Sequence, residues 1–453
     1  MKRETGIFKK DVISWALYDF ANTIYSMNIL SLYFAGWLIV DLGYQDIHYS
    51  IAYSSSMVLA AILMPALGAL SDKPGGRGLA SQKKLFFLAI FTIGAVISVL
   101  LFSITPASLI IVVLIFFALS NFFFEGGMVF YNTLLDSVSK EDNIGKVSGF
   151  GVSLGYLGSI VGMLLVLPFV TGSLFSLEIP FLEGGGKSAA FLPTAFLYAI
   201  FAIPIFLFVR EKPAPKTKEL QKSSTGIIAA YKGIWQTIKS SEKYPGLMRF
   251  LISDYFFEDA IATVIIFMAV FTERVLGLTA DDRTLFFIVS TVFAMVGAYI
   301  FGMLADKYSP KKILSLLVSG WILILLAFTF NSEPAIFWIL GPIVGMLLGG
   351  VWAVSRPLLM ILSPKEKLGE MFGLFSLSGR AAAICGPLMW GAVVWFFKKG
   401  NFAGDYLSSM LNLSVEESEK LPYRLAVLSL AGMMAVGLYI FRKVPERKID
   451  SAK

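Results

Sequence analysis

Twelve long apolar runs, separated by short polar stretches, divide this 453-residue chain. A bilayer-spanning helix needs roughly 20 mainly apolar residues, and the runs match that length. The pattern predicts spans near residues 12–40, 47–70, 85–103, 107–138, 146–170 and 190–210, then 248–272, 283–305, 313–331, 335–362, 368–397 and 421–442. The fourth and tenth exceed a bilayer thickness, so they are expected to tilt or to project from the membrane. The first run is too long for a signal peptide and lacks a clear cleavage site, so it reads as a span. The predicted fold class is an all-α membrane protein with about 12 transmembrane helices.

Composition sharpens this picture. The chain is 57% hydrophobic and 15% charged, with a mean hydropathy of +0.75. Soluble proteins carry about 25% charged residues, so the apolar surplus must face lipid. The net charge of +7 does not mark a nucleic-acid binder, because the basic residues sit in short loops between apolar runs. With both termini placed inside, the inner segments hold 29 Lys and Arg and the outer loops hold 7. That asymmetry predicts an inner-membrane protein with cytoplasmic termini. The single cysteine, Cys385, and single histidine, His48, leave no material for a disulfide, a cysteine metal site or a buried Ser-His-Asp triad.

Residues 211–247 form the longest connector and the natural boundary between an N-terminal bundle (1–210) and a C-terminal bundle (248–453). Within the connector, Ile227, Ile228, Tyr231, Ile234, Trp235 and Ile238 recur at helical spacing. That fits a helix lying on the inner membrane surface, with a solvated linker as the alternative. The two bundles repeat one another. Gly68-Ala69-Leu70-Ser71-Asp72-Lys73 returns 234 residues later as Gly302-Met303-Leu304-Ala305-Asp306-Lys307, with basic residues trailing both. Gly145, Gly149, Gly155 and Gly162 return as Gly369, Gly373, Gly379 and Gly386 at a common offset of 224. Such glycines make a small face that lets helices pack closely in lipid. Two parallel six-helix, pseudo-symmetric bundles describe the major facilitator architecture.

The loop motif after the second span resembles that of the major facilitator superfamily, with Pro74, Gly75 and Gly76 intervening before Arg77. Ser14-Trp15-Ala16-Leu17-Tyr18-Asp19-Phe20-Ala21-Asn22-Thr23 resembles the opening of one branch, the one related to the autophagy-linked vacuolar amino-acid effluxer. Phe130-Tyr131-Asn132-Thr133-Leu134-Leu135, Val147-Ser148-Gly149-Phe150-Gly151 and Gly155-Tyr156-Leu157-Gly158 fit the same branch. The resemblance implies that spans one, four, seven and ten line a central cavity, and its fungal members imply amino-acid export.

Charges within a bilayer are costly, so each is a functional candidate. The acids are Asp19, Glu125, Asp254, Glu258 and Asp259; the bases are Arg356 and Arg380. An arginine can hold a carboxylate bidentately, and a desolvated acid can exchange a proton. Glu125 is the expected proton-coupling acid, with Arg356 or Arg380 as counter-charge or substrate anchor. An internal ion pair that merely joins helices is the plainer alternative. Asn22, Tyr25 and Asn28 share a helix face with Asp19 and suggest a cavity wall. Asp19 could equally be a mouth charge paired with a loop lysine. Tyr131 and Asn132, on the span that carries Glu125, join the substrate-binding set. Asp254 follows Asp19 by 235 residues, close to the repeat offset, and is the expected symmetry partner. Glu258 and Asp259 are adjacent, so one should be protonated or face water.

Asp72, Arg77, Asp306, Lys307 and Lys311 are expected to act as a gating latch. The resemblance makes the starts of spans five and eleven, Gly145 and Gly369, their partners, where helix dipoles favour a carboxylate. No Gly-rich phosphate loop is present, so a gradient rather than ATP is the expected energy source. The leading reading is a monomeric secondary transporter of a small polar or zwitterionic solute, with the lipid bilayer and protons as partners, no cofactor and no metal. A lipid or drug exporter of the same fold is the main rival. An intramembrane enzyme would want clustered catalytic residues, and a receptor would want a large soluble domain; the sequence favours neither.

Overall fold

The computed structural model describes residues 9–44, 46–72, 82–174, 177–178, 183–212, 231–232, 235, 246–277, 280–331 and 333–446. Arg77 and most of the expected surface helix near 227–238 lie outside these residues; of that stretch Tyr231, Lys232 and Trp235 are described, and they are helical. Among them, twelve long helices follow in chain order: α1 (Lys10–Tyr25), α2 (Asp46–Ser71), α3 (Lys83–Ile104), α4 (Ile110–Thr133), α5 (Ile144–Thr171), α6 (Phe191–Phe208), α7 (Leu247–Arg274), α8 (Ala280–Tyr308), α9 (Pro310–Phe330), α10 (Pro334–Leu362), α11 (Leu368–Phe396) and α12 (Val415–Arg442). Ten are long and apolar enough to cross a membrane. The other two are α1, which is interrupted, and α7, which carries Asp254, Glu258 and Asp259.

The interruption in the first span was not legible in its apolar pattern. After Tyr25 the chain runs as π-helix over Ser26–Tyr33, returns to α-helix at Phe34–Gly36 and is π-helix again over Trp37–Asp41. Wider turns shift the side-chain register and occur often at functional sites. The fourth run also breaks, at Leu134, where a short helix Leu135–Val138 follows α4. One departure from an all-helical chain is a two-stranded antiparallel ribbon pairing Ser173 with Glu178 and Leu174 with Leu177. It follows Gly172, whose φ of 75° ends α5 in the left-handed region.

α12 begins six residues before its apolar pattern does, at Val415 rather than Leu421. A capping box causes this: the Glu417 N–H donates to Ser414 Oγ at 3.2 Å, and the Ser414 N–H donates to the Glu417 carboxylate at 3.3 Å. Ser414→Ala should therefore lower stability by about 1 kcal/mol, read as a small fall in melting temperature in detergent. An unchanged melting point would show that the cap contributes nothing.

Packing divides the chain into two compact units. The first is Met1–Lys239 with Ser363–Leu377; the second is Ser240–Leu362 with Ser378–Lys453. In the first, α1 packs on α5 and α6, and α4 packs on α2 and α3. In the second, α8 packs along α10, while α12 packs on α7 and α9. Side chains that face lipid in such a fold remain exposed, among them Ile93, Ile111, Phe196, Leu323 and Ile339.

Candidate transport site

In the first unit α1 carries a polar stripe through an apolar bundle. Asp19, Asn22, Tyr25 and Asn28 are all buried. The stripe faces α4: Tyr25 and Ser120 share a hydroxyl–hydroxyl hydrogen bond of 2.7 Å, and Asn22 Nδ2 donates to Met128 Sδ at 2.9 Å. Asn121 Nδ2 donates to Ser56 of α2 at 2.7 Å. Among the described residues, Asn22 Oδ1, Asn121 Oδ1 and both polar atoms of Asn28 have no hydrogen-bond partner. Burying such amides without partners is costly. Glu125 is half-buried on α4, close enough for its charge to act on Tyr25. Phe124, beside it, stacks on Tyr25 at 4.5 Å, while Phe122 and Phe123 pack on Phe91 of α3.

Tyr131 is sealed within an aromatic stack. Its ring lies 4.7 Å from Trp15 and 5.3 Å from Tyr18, and its carbonyl accepts the Trp15 indole N–H at 3.1 Å. Next to it, Asn132 is half-buried, and its Oδ1 has no hydrogen-bond partner among the described residues.

In the second unit the three acids of α7 take three different environments. Glu258 is half-buried and accepts the Trp352 indole N–H of α10 at 3.3 Å; Arg356, one turn further along α10, acts on it electrostatically. Asp259 is fully buried and accepts the Gly386 N–H of α11 at 2.7 Å. Asp254 is fully buried, and neither of its carboxyl oxygens has a hydrogen-bond partner among the described residues. Arg380 is half-buried on α11, two residues after Ser378, whose hydroxyl donates to the Leu251 carbonyl of α7 at 3.1 Å.

The nearest packing counterpart of Asp19 is Asp259 rather than Asp254. Asp19 and Thr23 lie against Gly155 of α5, whose carbonyl accepts the Thr23 hydroxyl. Asp259 and Thr263 lie against Gly386 of α11 in the same way: a Cβ there would come within 2.0 Å of the Thr263 hydroxyl and 2.6 Å of the Asp259 carboxylate. The repeat is therefore Asp-x-x-x-Thr against a glycine, 240 residues apart. The eight glycines of the sequence repeat are not equivalent, since Gly379 faces open space.

Asp72, at the end of α2, caps the start of α11. Its two carboxylate oxygens accept the Gly369 and Glu370 N–H groups at 2.8 Å each, and Lys84 lies 3.6 Å away. Burial pushes its pKa up to about 6, outweighing Lys84 and the two N–H groups, which pull it down. Asp306, Lys307 and Lys311 belong to the second unit. Asp306 is half-buried, Lys307 lies over the Tyr308 ring, and Lys311 Nζ donates to the Arg442 carbonyl at 3.4 Å. Trp352 and Ser355 were missed by sequence reasoning. Their signal was available as polar atoms one turn and one residue before Arg356.

Comparison with known proteins decides the family. The profile described as "Vacuole effluxer Atg22 like" matches residues 135–396, and that of the Major Facilitator Superfamily matches residues 2–163. The chain belongs to the Atg22-like family of major facilitator transporters. It is 28% identical to an uncharacterized MFS-type transporter, YxiO, of Bacillus subtilis, over 84% of this chain and 88% of that protein. It is 26% identical to autophagy-related protein 22 of Kluyveromyces lactis, over 54% of this chain and 52% of that one. The human organic anion transporter MFSD10 shares the fold with a TM-score of 0.67 at 12% identity, covering 95% of this chain and 99% of that chain. The transporter FucP in its outward conformation shares it with a TM-score of 0.65 at 13% identity, covering 97% and 98%. This Atg22-like protein is thus a secondary transporter with the major facilitator fold, and not an enzyme.

Proposed function

We propose that this Atg22-like transporter moves a small polar or zwitterionic solute, amino-acid-like in character, in exchange or together with protons. It works as a monomer by alternating access, in the inner membrane with both termini in the cytoplasm. The observation that carries the reading is the meeting of opposite charges within spans: Glu258 of α7 beside Arg356 of α10, with the indole N–H of Trp352 on the same carboxylate. Opposite charges of this kind match a carboxylate and an ammonium on one solute. Arg356 holds the solute carboxylate bidentately, as its planar fork allows. The description of the matching family, vacuole effluxer, supports export. The Lys and Arg bias of the loops supports cytoplasmic termini. Asp72, Arg77, Asp306, Lys307 and Lys311 form the latch that closes and opens with the cycle.

The test is solute counterflow in proteoliposomes with amino acids, peptides, lipids and hydrophobic cations. Saturable amino-acid exchange, lost in Arg356→Ala, supports the reading; exchange of hydrophobic cations alone supports the drug-exporter alternative. Glu125 remains the candidate coupling acid of the first unit. Glu125→Gln is expected to cut proton-driven accumulation at least tenfold while leaving solute exchange at equal pH intact. Undiminished proton-driven accumulation in this variant removes Glu125 from the role.

A further inference from the structure

Asp254 and Glu258 stand one helical turn apart on the same face of α7, yet their surroundings are opposite. Glu258 is half-buried, accepts the Trp352 indole N–H at 3.3 Å and feels the positive charge of Arg356. Asp254 is 0% exposed and has no donor among the described residues. The polar group beside it is the Ser355 hydroxyl of α10, itself 1% exposed and also without a hydrogen-bond partner among those residues. An ionised carboxylate in this setting would have one hydroxyl, that of Ser355, to replace its water, which leaves most of its desolvation uncompensated. A neutral carboxylic acid avoids that penalty. Two acids whose environments differ in this way divide the proton between them.

We propose that Asp254 is a proton-binding site of this transporter, that it exchanges its proton with Glu258, and that Arg356 decides which of the two carries it. The proton leaves an Asp254 carboxyl oxygen for a Glu258 carboxyl oxygen. Asp254, now a carboxylate, accepts the Ser355 hydroxyl hydrogen. The pair keeps a single negative charge throughout, and no other reactant takes part. While Arg356 faces Glu258, Glu258 remains the anion. When the solute carboxylate draws Arg356 away, Glu258 loses its counter-charge and takes the proton. That last step rests on the proposed solute reading; proton binding at Asp254 does not.

The other elements packed on this part of α7 fit the assignment. α12 presents Gly437 and Phe441 to Phe256 and Phe257, while Tyr439 on the same stretch is 63% exposed. α11 carries Arg380 and Cys385 and engages Asp259 through Gly386. A metal cation is disfavoured, because the indole N–H already donates to Glu258 and the positive charge of Arg356 acts on it.

The test is infrared titration of the full-length protein in lipid nanodiscs, with no solute present, from about pH 5 to about pH 9. The expected result is a protonated-carboxyl band at neutral pH that is lost in Asp254→Asn and kept in Glu125→Gln. Proton release over the titration should fall by about one per chain in Asp254→Asn. Should Asp254→Asn fail to fold, Ser355→Ala serves instead. A shifted band supports the site, and an unmoved band overturns it. A folded Asp254→Asn protein that keeps the band also overturns it. So does loss of the wild-type band when sodium replaces choline, which would make this a cation site. Failure to find a transported solute leaves these spectra untouched, so the two readings fall separately.

Discussion

Gly345→Ala is expected to destabilise the second unit by on the order of 3 kcal/mol, the upper range for overpacking a tight helix contact. α10 carries glycines at 341, 345 and 349, one every four residues, and this stripe lies along α8. A Cβ on Gly345 would sit 1.9 Å from the Ser290 carbonyl oxygen, and one on Gly349 would sit 2.0 Å from that of Ala294. Both obstacles are backbone, so no side chain can swing aside and the helices must separate. Separation also strips the dispersion contacts that hold helices together in lipid, where the hydrophobic effect gives no help. The measurement is thermal unfolding in detergent with Gly432→Ala as control. Gly432 lies exposed on α12 with no atom within 4 Å of its Cβ position. That control should match the wild type or gain up to about 1 kcal/mol from helix propensity. A Gly345→Ala protein that melts with the wild type would show that α8 and α10 do not approach this closely.

The contact of Asp72 with the start of α11 should tighten as pH falls. Its pKa stands at about 6 against an ordinary value of 3.8, because burial penalises the carboxylate more than Lys84 and the two N–H groups favour it. A raised value means that the packed arrangement binds the proton better than the open one. Its extra stability is complete below about pH 4 and is lost as pH rises through about 6. At 1.36 kcal/mol per pKa unit the swing reaches about 3 kcal/mol. Hydrogen exchange at the Gly369 and Glu370 amides reads it directly, once intrinsic rates are divided out. Protection should be greater at about pH 5 than at about pH 7.5. In Asp72→Asn this dependence should vanish, because the amide does not titrate. At neutral pH, where Asp72 is mainly a carboxylate, the amide also turns a donor toward one of the two N–H groups that need an acceptor, which costs about 1–3 kcal/mol. Transport should therefore slow tenfold or more in this variant while solute affinity stays nearly unchanged. Protection that rises with pH in the wild type would reverse the sign and refute the account. A large loss of affinity with normal cycling would count against the latch.

Much of the fold was legible because a bilayer imposes one rule on every span. Hydrocarbon offers no hydrogen bonds, so each crossing must be a helix with roughly 20 apolar residues. The expected spans differ from the observed helices by only a few residues at most ends. Misses came where a local backbone rule overrode hydropathy. The Ser414–Glu417 box drew α12 into a charged stretch, and π turns widened the first span within an unbroken apolar run. The glycine stripe of α10 was written at a regular spacing, but its importance depends on a facing backbone that spacing does not reveal.

The candidate site divides along the same line. Asp19, Glu125, Asp254, Glu258, Asp259, Arg356 and Arg380 could be picked out as candidates from the sequence alone, because charges in hydrocarbon are costly. What each one touches could not. Along a helix each residue turns about 100°, so Asp254 and Glu258 share a face and Asp259 looks elsewhere. Only packing decides that α10 brings an indole to Glu258, that α11 brings a backbone N–H to Asp259, and that Asp254 receives nothing but a serine. Composition determined the solvent in which this chain lives and the number of times it crosses it. The rotation and neighbours of each helix, which set the partner of every buried charge, arose only when the helices packed.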